Sequence, residues 1–208
     1  ADFMADPNVG HTWRNEISKA GSGQIGDTSS HVFSLFKHLT NKKILEVFCH
    51  SNIYIKQRPQ TDIDRFGAPL TFEKDAVLIE NETDDKAITL FKFENNGLGI
   101  IETSRVSTGN VNDLKFTLTG NQGALIFSNE KNNEIQFYDN NAEESLKGFK
   151  KIQMGPFNDD FAKFHPVGGN ALSYQDFKML ECRKIIDAIA LNEEAYPNFR
   201  WGAEIQLL

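Results

Sequence analysis

The spacing of apolar residues changes twice along this chain. In GDTSSHVFSLFKHL, Gly26 to Leu39, Val32, Leu35, Phe36 and Leu39 recur at i, i+3, i+4, i+7, which predicts a helix docked on a core by one stripe. Asp27, His31 and His38 form a second stripe about 90 to 130° from the centre of the first, at the rim of the packed surface where a side chain can line a cleft. From Ile44 to Arg58 the texture is that of a strand, rich in β-branched and aromatic residues and stopped by Pro59. Pro59 to Asp75 reads as a long loop.

A run of hairpins follows. AITLFKF and LGIIETSRV flank Asn95-Asn96-Gly97, where Asn-Gly predicts a type I′ turn. LKFTLTG and GALIFS meet at Gly120-Asn121-Gln122-Gly123, and EIQFYD and FKKIQM come next. This predicts an antiparallel meander of at least five strands. After a loop rich in glycine, proline and aromatics, Tyr174 to Leu191 predicts a helix whose apolar stripe is Met179, Cys182, Ile186 and Ile189. Tyr174 and Phe177 read as core, and the tail YPNFRWGAEIQLL holds a Pro that ends the preceding order and two aromatics expected to pin the terminus. The order helix, strands, helix is that of an α+β protein with a large, mostly antiparallel sheet and helices on one face. Ile88, Leu90, Phe91, Phe93, Leu98, Ile100 and Ile101 put apolar residues on both faces of the central strands, so the second face is expected to be covered by another subunit.

Composition narrows the function classes. With 208 residues the chain is read as a single domain, 1–208. A net charge of −7 without a basic cluster argues against nucleic acid. No apolar run is long enough to span a membrane and no leader pattern is visible, so a cytoplasmic protein is expected. Cys49 and Cys182 have no zinc spacing, and the histidines are scattered, so no metal is expected. Gly21, Gly23 and Gly26 spell G-x-G-x-x-G, but WRNEISK before them is not a buried strand, and the dinucleotide reading is rejected.

The pattern leaves Asp27 and His31 with two readings. An acid at a helix start caps free N–H groups, and a histidine on the flank is then a bystander. Alternatively, the i, i+4 spacing lets a carboxylate fix the imidazole tautomer that a general base needs. Arg105, beside an apolar run, reads as a solvated surface charge.

WRNEISKAGSGQIGDTSSHVFSL resembles the segment W-R-x-x-x-x-x-A-G-G-G-x-L-G-D-x-G-S-H of the glucose-fructose oxidoreductase/inositol dehydrogenase (Gfo/Idh/MocA) family. The agreement continues in order through IKQRP, NETDDKAITLFKFENNGLGIIETSRV, GFKKI, FHPVGGNALSYQDFKMLE and AIALNEEAYPNFRWGAEIQ, essentially the whole chain. The resemblance implies the C-terminal, sheet-bearing half of an NAD(P)-dependent oxidoreductase for sugars, polyols and related compounds, whose sheet commonly packs on another subunit. In that pattern Asp27 and His31 match the active-site acid and histidine, with His31 as acid/base for the substrate hydroxyl. Trp13, Arg14 and Arg105 match positions near the substrate pocket.

The sequence also departs from the family. The nucleotide-binding half and its E-K-P lysine are absent, so the chain is expected to be a C-terminal fragment or isolated domain that binds no NAD(P) and is inactive alone. Ser34 stands where many members carry Asp and is expected to reshape substrate contacts. The competing reading is a non-catalytic sugar-binding or dimerisation module.

Overall fold

The computed structural model describes residues 1–62, 75–162 and 167–208. Most of the loop expected from Pro59 to Asp75, and His165, lie outside them. The elements are α1 (Ile17–Ala20), α2 (Ser30–Thr40), β1 (Ile44–Asn52), β2 (Gln57–Pro59), β3 (Leu78–Glu80), β4 (Lys86–Phe93) and β5 (Leu98–Ser104). They continue with β6 (Lys115–Thr119), β7 (Gly123–Ser128), β8 (Glu134–Asp139), β9 (Lys150–Gln153), α3 (Asp159–Ala162), α4 (Tyr174–Leu191) and α5 (Phe199–Gln206). The fold is α+β, and among the described residues every strand pair is antiparallel, hydrogen-bonded in three sheets ordered β1-β4-β5, β2-β3 and β6-β7-β8-β9. No described helix is long and apolar enough to cross a membrane. The chain packs as two compact units, residues 1–112 with 197–208, and residues 113–196.

In the first unit β4 alternates strictly. Ala87, Thr89, Phe91 and Phe93 point inward while Ile88 and Leu90 point out. Phe91 centres the core, its ring edge-on to Phe33 at 5.6 Å and to Phe93 at 5.2 Å, with Ile101 and Ile205 closing the cluster. Helix α2 therefore docks through Phe33, flanked by Val32 and Phe36 of the expected stripe, while Leu39, at that stripe's other edge, is exposed. The packed face is rotated by about 60° from the expected one, because edge-to-face contact with Phe91 favours the larger ring at position 33.

The strand expected to run from Ile44 to Arg58 breaks at Asn52, since the Asp85 carboxylate takes the N–H groups of Tyr54 and Ile55 at 2.8 and 2.9 Å. The β4–β5 turn is not type I′. The Asn96 N–H closes on Phe93 O at 2.9 Å, the Phe93 N–H on Gly97 O at 2.8 Å, and of the turn residues Asn96 alone has positive φ, 64°. This is a three-residue loop in which Asn96, not the Asn-Gly pair, supplies the left-handed residue. The tail is helical. Asn198 caps α5 by accepting the Trp201 N–H at 2.8 Å, and Ile205 reaches the core, while Phe199 pins nothing and is fully exposed.

On the outer face of this sheet Phe48, Leu90 and Ile100 face one another across the strands, flanked by Ile88 and Leu98, and all five are exposed. Apolar residues do occupy both faces.

In the second unit β6 to β9 form a four-stranded meander, its first turn closed by the Gly120 N–H on Gly123 O at 2.8 Å. Helix α4 starts with Ser173 and Asp176 in a capping box and ends on Asn192 with φ 55°. Its covered side carries Phe177, Leu180 and Ala188, while Met179, Cys182, Ile186, Ile189 and Tyr174 are exposed. Both sets recur at helical spacing on opposite sides of the helix, and periodicity does not say which is covered.

Candidate active site

Asp27 sits in a π-helical turn, Ile25–Ser29, that runs into α2. A π turn holds more residues than an α turn, so the 100° step does not carry across it from Asp27 to His31. The start of this turn is capped from elsewhere in the chain. The Gly23 N–H donates to Asp84 Oδ1 at 2.7 Å, the Ile25 N–H to Asp84 Oδ2 at 3.0 Å, and the Gln24 N–H to Asp84 O at 3.2 Å.

The capping role read for Asp27 thus belongs to Asp84, and the glycine string has a packing cause. Gly21 ends α1 at φ 76°, and a Cβ on Gly23 would lie 1.9 Å from Asp84 O. At the far end of the turn Ser29 Oγ meets Thr103 Oγ1 at 3.0 Å, tying it to β5. Asp27 and His31 are left exposed, and among the described residues neither side chain has a hydrogen-bond partner.

A second turn, Trp13–Asn15, presents Trp13 partly exposed with the Arg14 guanidinium 4.3 Å from its ring centre. Beneath it Thr83 Oγ1 donates to Arg14 O at 2.7 Å, and Asn15 Nδ2 to Asn81 Oδ1 at 3.0 Å. Arg105 is no surface charge: it is 2% exposed, paired with Asp85 at 2.8 Å, and its guanidinium also donates to Thr83 Oγ1, Thr83 O, Asn81 Oδ1 and Arg14 O. A buried pair survives only when its remaining protons and lone pairs are matched, and these contacts match them. Arg58, fully buried, donates to the carbonyls of Met4, Asp6 and Val9. Burial, and secondarily the charge of Arg105, lowers its pKa to about 10, against the pull of Asp85 and Asp6.

Ser34 Oγ accepts the Trp201 indole N–H at 2.8 Å. Cys49 and Cys182 are free and exposed, and among the described residues no group of three His, Cys, Asp or Glu could hold a metal ion. What sequence reasoning missed is the role of Asn81, Thr83, Asp84 and Asp85. The signal was an amide, a hydroxyl and three acids in NETDD immediately before a strand, where polar side chains reach unpaired backbone groups.

These features define a helix-covered antiparallel α+β domain that turns an acid and an imidazole outward from a capped turn. The chain belongs to the GFO/IDH/MocA family, residues 1–126 matching its C-terminal domain. It is 27% identical over its full length to a levoglucosan dehydrogenase of Pseudarthrobacter phenanthrenivorans, of which it covers 53%. An NAD binding oxidoreductase from Klebsiella pneumoniae superposes with TM-score 0.87 at 30% identity, over 99% of this chain and 51% of that one. A levoglucosan dehydrogenase in complex with NADH and L-sorbose superposes with TM-score 0.88 at 26% identity, over 98% and 51%. The chain spans about half the length of these relatives.

Proposed function

We propose that this chain is the substrate-binding and oligomerisation domain, residues 1–208, of a cytoplasmic NAD(P)-dependent dehydrogenase that acts on a hydroxyl of a sugar or cyclitol. The observation that carries the reading is the outward-facing Asp27 and His31 on a turn held at both ends, where an imidazole is open to a ligand. His31 takes the proton of the substrate hydroxyl, with Asp27, four positions before it, as its acidic partner. Trp13 offers an aromatic face and Arg14 hydrogen-bond donors to the polyol, and Arg105 acts from below by holding the Arg14 carbonyl.

The glycine string of this chain does not fit a dinucleotide's phosphates. The amides of its glycine string are taken by Asp84, and a phosphate finds no cradle there. Among the relatives, those solved with NADH are twice as long as this chain, which supports a cofactor held by the remainder of a longer protein. The nicotinamide supplies the hydride acceptor when bound there. In the complete protein His31→Ala should lower kcat by about 10² to 10⁴. Because His31 is exposed the fold should be unchanged, and a near-normal rate rejects the assignment.

The exposed row Phe48, Leu90, Ile100 supports a second copy seated on this sheet face. A non-catalytic module would share that face, and it would leave His31→Ala without effect on any turnover.

A further inference from the structure

We propose that the connector Asn81–Asp85 is the positioning element of this site, with Thr83 setting Arg14 and Asp84 setting the turn that carries Asp27 and His31. The proposal rests on the function proposed above. Five consecutive residues tie four separated segments. Asn81 accepts from Asn15, and the Glu82 N–H donates to Asn15 O at 2.9 Å. Glu82 Oε2 accepts the Ile17 N–H at 2.8 Å, and Thr83 Oγ1 donates to Arg14 O. Asp84 takes three successive N–H groups of Gly23, Gln24 and Ile25. Asp85 pairs with Arg105 and holds Tyr54 and Ile55.

Four of these five, Asn81, Thr83, Asp84 and Asp85, are buried, so the contacts are screened little by solvent. A carboxylate shared between two backbone N–H groups at a helix start is a charge-assisted pair with the favourable dipole sign. Thr83 is held in turn, because its hydroxyl oxygen accepts from Arg105 at 3.0 Å while its proton goes to Arg14. The site's two halves, the Trp13–Arg14 turn and the Asp27–His31 turn, are therefore fixed by adjacent residues of one strand entry. Neither Thr83 nor Asp84 touches substrate, and each acts through what it holds.

That arrangement makes a kinetic split between neighbours. In the complete protein Thr83→Val keeps the side-chain shape but removes the shorter of the two hydrogen bonds to the Arg14 carbonyl, leaving the 3.4 Å contact from Arg105. It should raise KM about tenfold with kcat changed less than about twofold, and Thr83→Ser should restore KM. Asp84→Ala should lower kcat about 10- to 100-fold with KM within about threefold, and Asp84→Asn, which keeps one accepting oxygen, should fall between.

An independent readout is the His31 ring resonance of the complete protein labelled at histidine, assigned by its loss in His31→Ala. Asp84→Ala should shift that resonance, and Thr83→Val should leave it in place. Equal losses in both kinetic parameters for both variants, or losses that follow only the melting temperature, overturn the proposal. A slow His31→Ala protein beside a kinetically silent Asp84→Ala also overturns it and leaves the dehydrogenase reading intact. A full-rate His31→Ala protein overturns that reading, and this proposal with it.

Discussion

The two units of this chain bury different things. In the first, among the described residues, eight large or small apolar residues from Met4 to Ile205 are buried, together with a set of polar residues from His11 to Arg105. In the second, the buried apolar residues are Leu172 and Ala188, and every residue of β7 and β8 is only half-covered. A core that closes on itself can afford a buried network such as Arg105 with Asp85, because packed neighbours hold each partner in place. A half-covered meander holds less of this kind: Asp113, its side chain 1% exposed, lies there beside the exposed Lys115. The proposed site, which depends on side chains held in fixed positions, accordingly belongs to the first unit.

The sharpest way to break this comparison is to cut one aromatic ring from each unit. Phe91→Ala removes the centre of the first core and should cost about 3 to 5 kcal/mol. Phe137→Ala, in half-covered β8, should cost about 1 to 2 kcal/mol, since only part of its surface leaves water on folding. Both tryptophans, Trp13 and Trp201, belong to the first unit, so tryptophan emission during urea unfolding follows that unit alone. Phe91→Ala should move that transition strongly and Phe137→Ala should leave it nearly unmoved. Equal shifts would mean that the two units unfold as one.

The same contrast explains what could be read from the sequence. The strands of both units were legible because β-branched and aromatic runs punctuated by Gly and Asn mark backbone geometry directly. Helix α4 was legible in extent, Tyr174 to Leu191, but its covered side was read backwards, since two apolar stripes compete and only tertiary contact decides. Helix α5 was missed although Asn198, Trp201 and Ile205 spell a cap and an i, i+4 pair. At the candidate site the pattern found Asp27 and His31, and the family resemblance raised them above a cap and a bystander. Asp84 lies 57 positions further on, and nothing local in either segment announces that one caps the other. Arg105 misled for the same reason, because its partner Asp85 is distant in sequence and adjacent across β4 and β5.

A smaller effect separates the two faces of the first unit's sheet. Leu90 is about half exposed where Phe91, its neighbour, is buried. Leu90→Asp should therefore leave the urea transition within about 0.5 kcal/mol of the unaltered chain. It should also shift sedimentation of the complete protein toward smaller species, because a charge placed in the Phe48, Leu90, Ile100 row opposes burial against a second copy. A protein that sediments unchanged removes this face from the assembly and assigns the exposed row to some other cover.

The smallest effect lies at the tether of α5. Lys37 pairs with Glu204 and lies over the Trp201 ring at 4.1 Å. Hydrogen bonding from Lys37, and then its charge, holds the Glu204 carboxyl below its ordinary value of 4.5. A carboxyl depressed on folding stabilises the folded state above its unfolded value, and that contribution disappears as pH falls through the folded one. Acidification below about 4.5 should thus protonate Glu204, release Lys37 and change Trp201 emission before the core opens. Because Glu204 is exposed the gain is slight and screened by salt, so the urea transition should move far less than in Phe91→Ala. In Glu204→Gln the released emission should already be present at neutral pH and show no acid step. An acid step that persists in that variant would place the titrating group elsewhere in the first unit, and would leave α5 held by Trp201 and Ile205 alone.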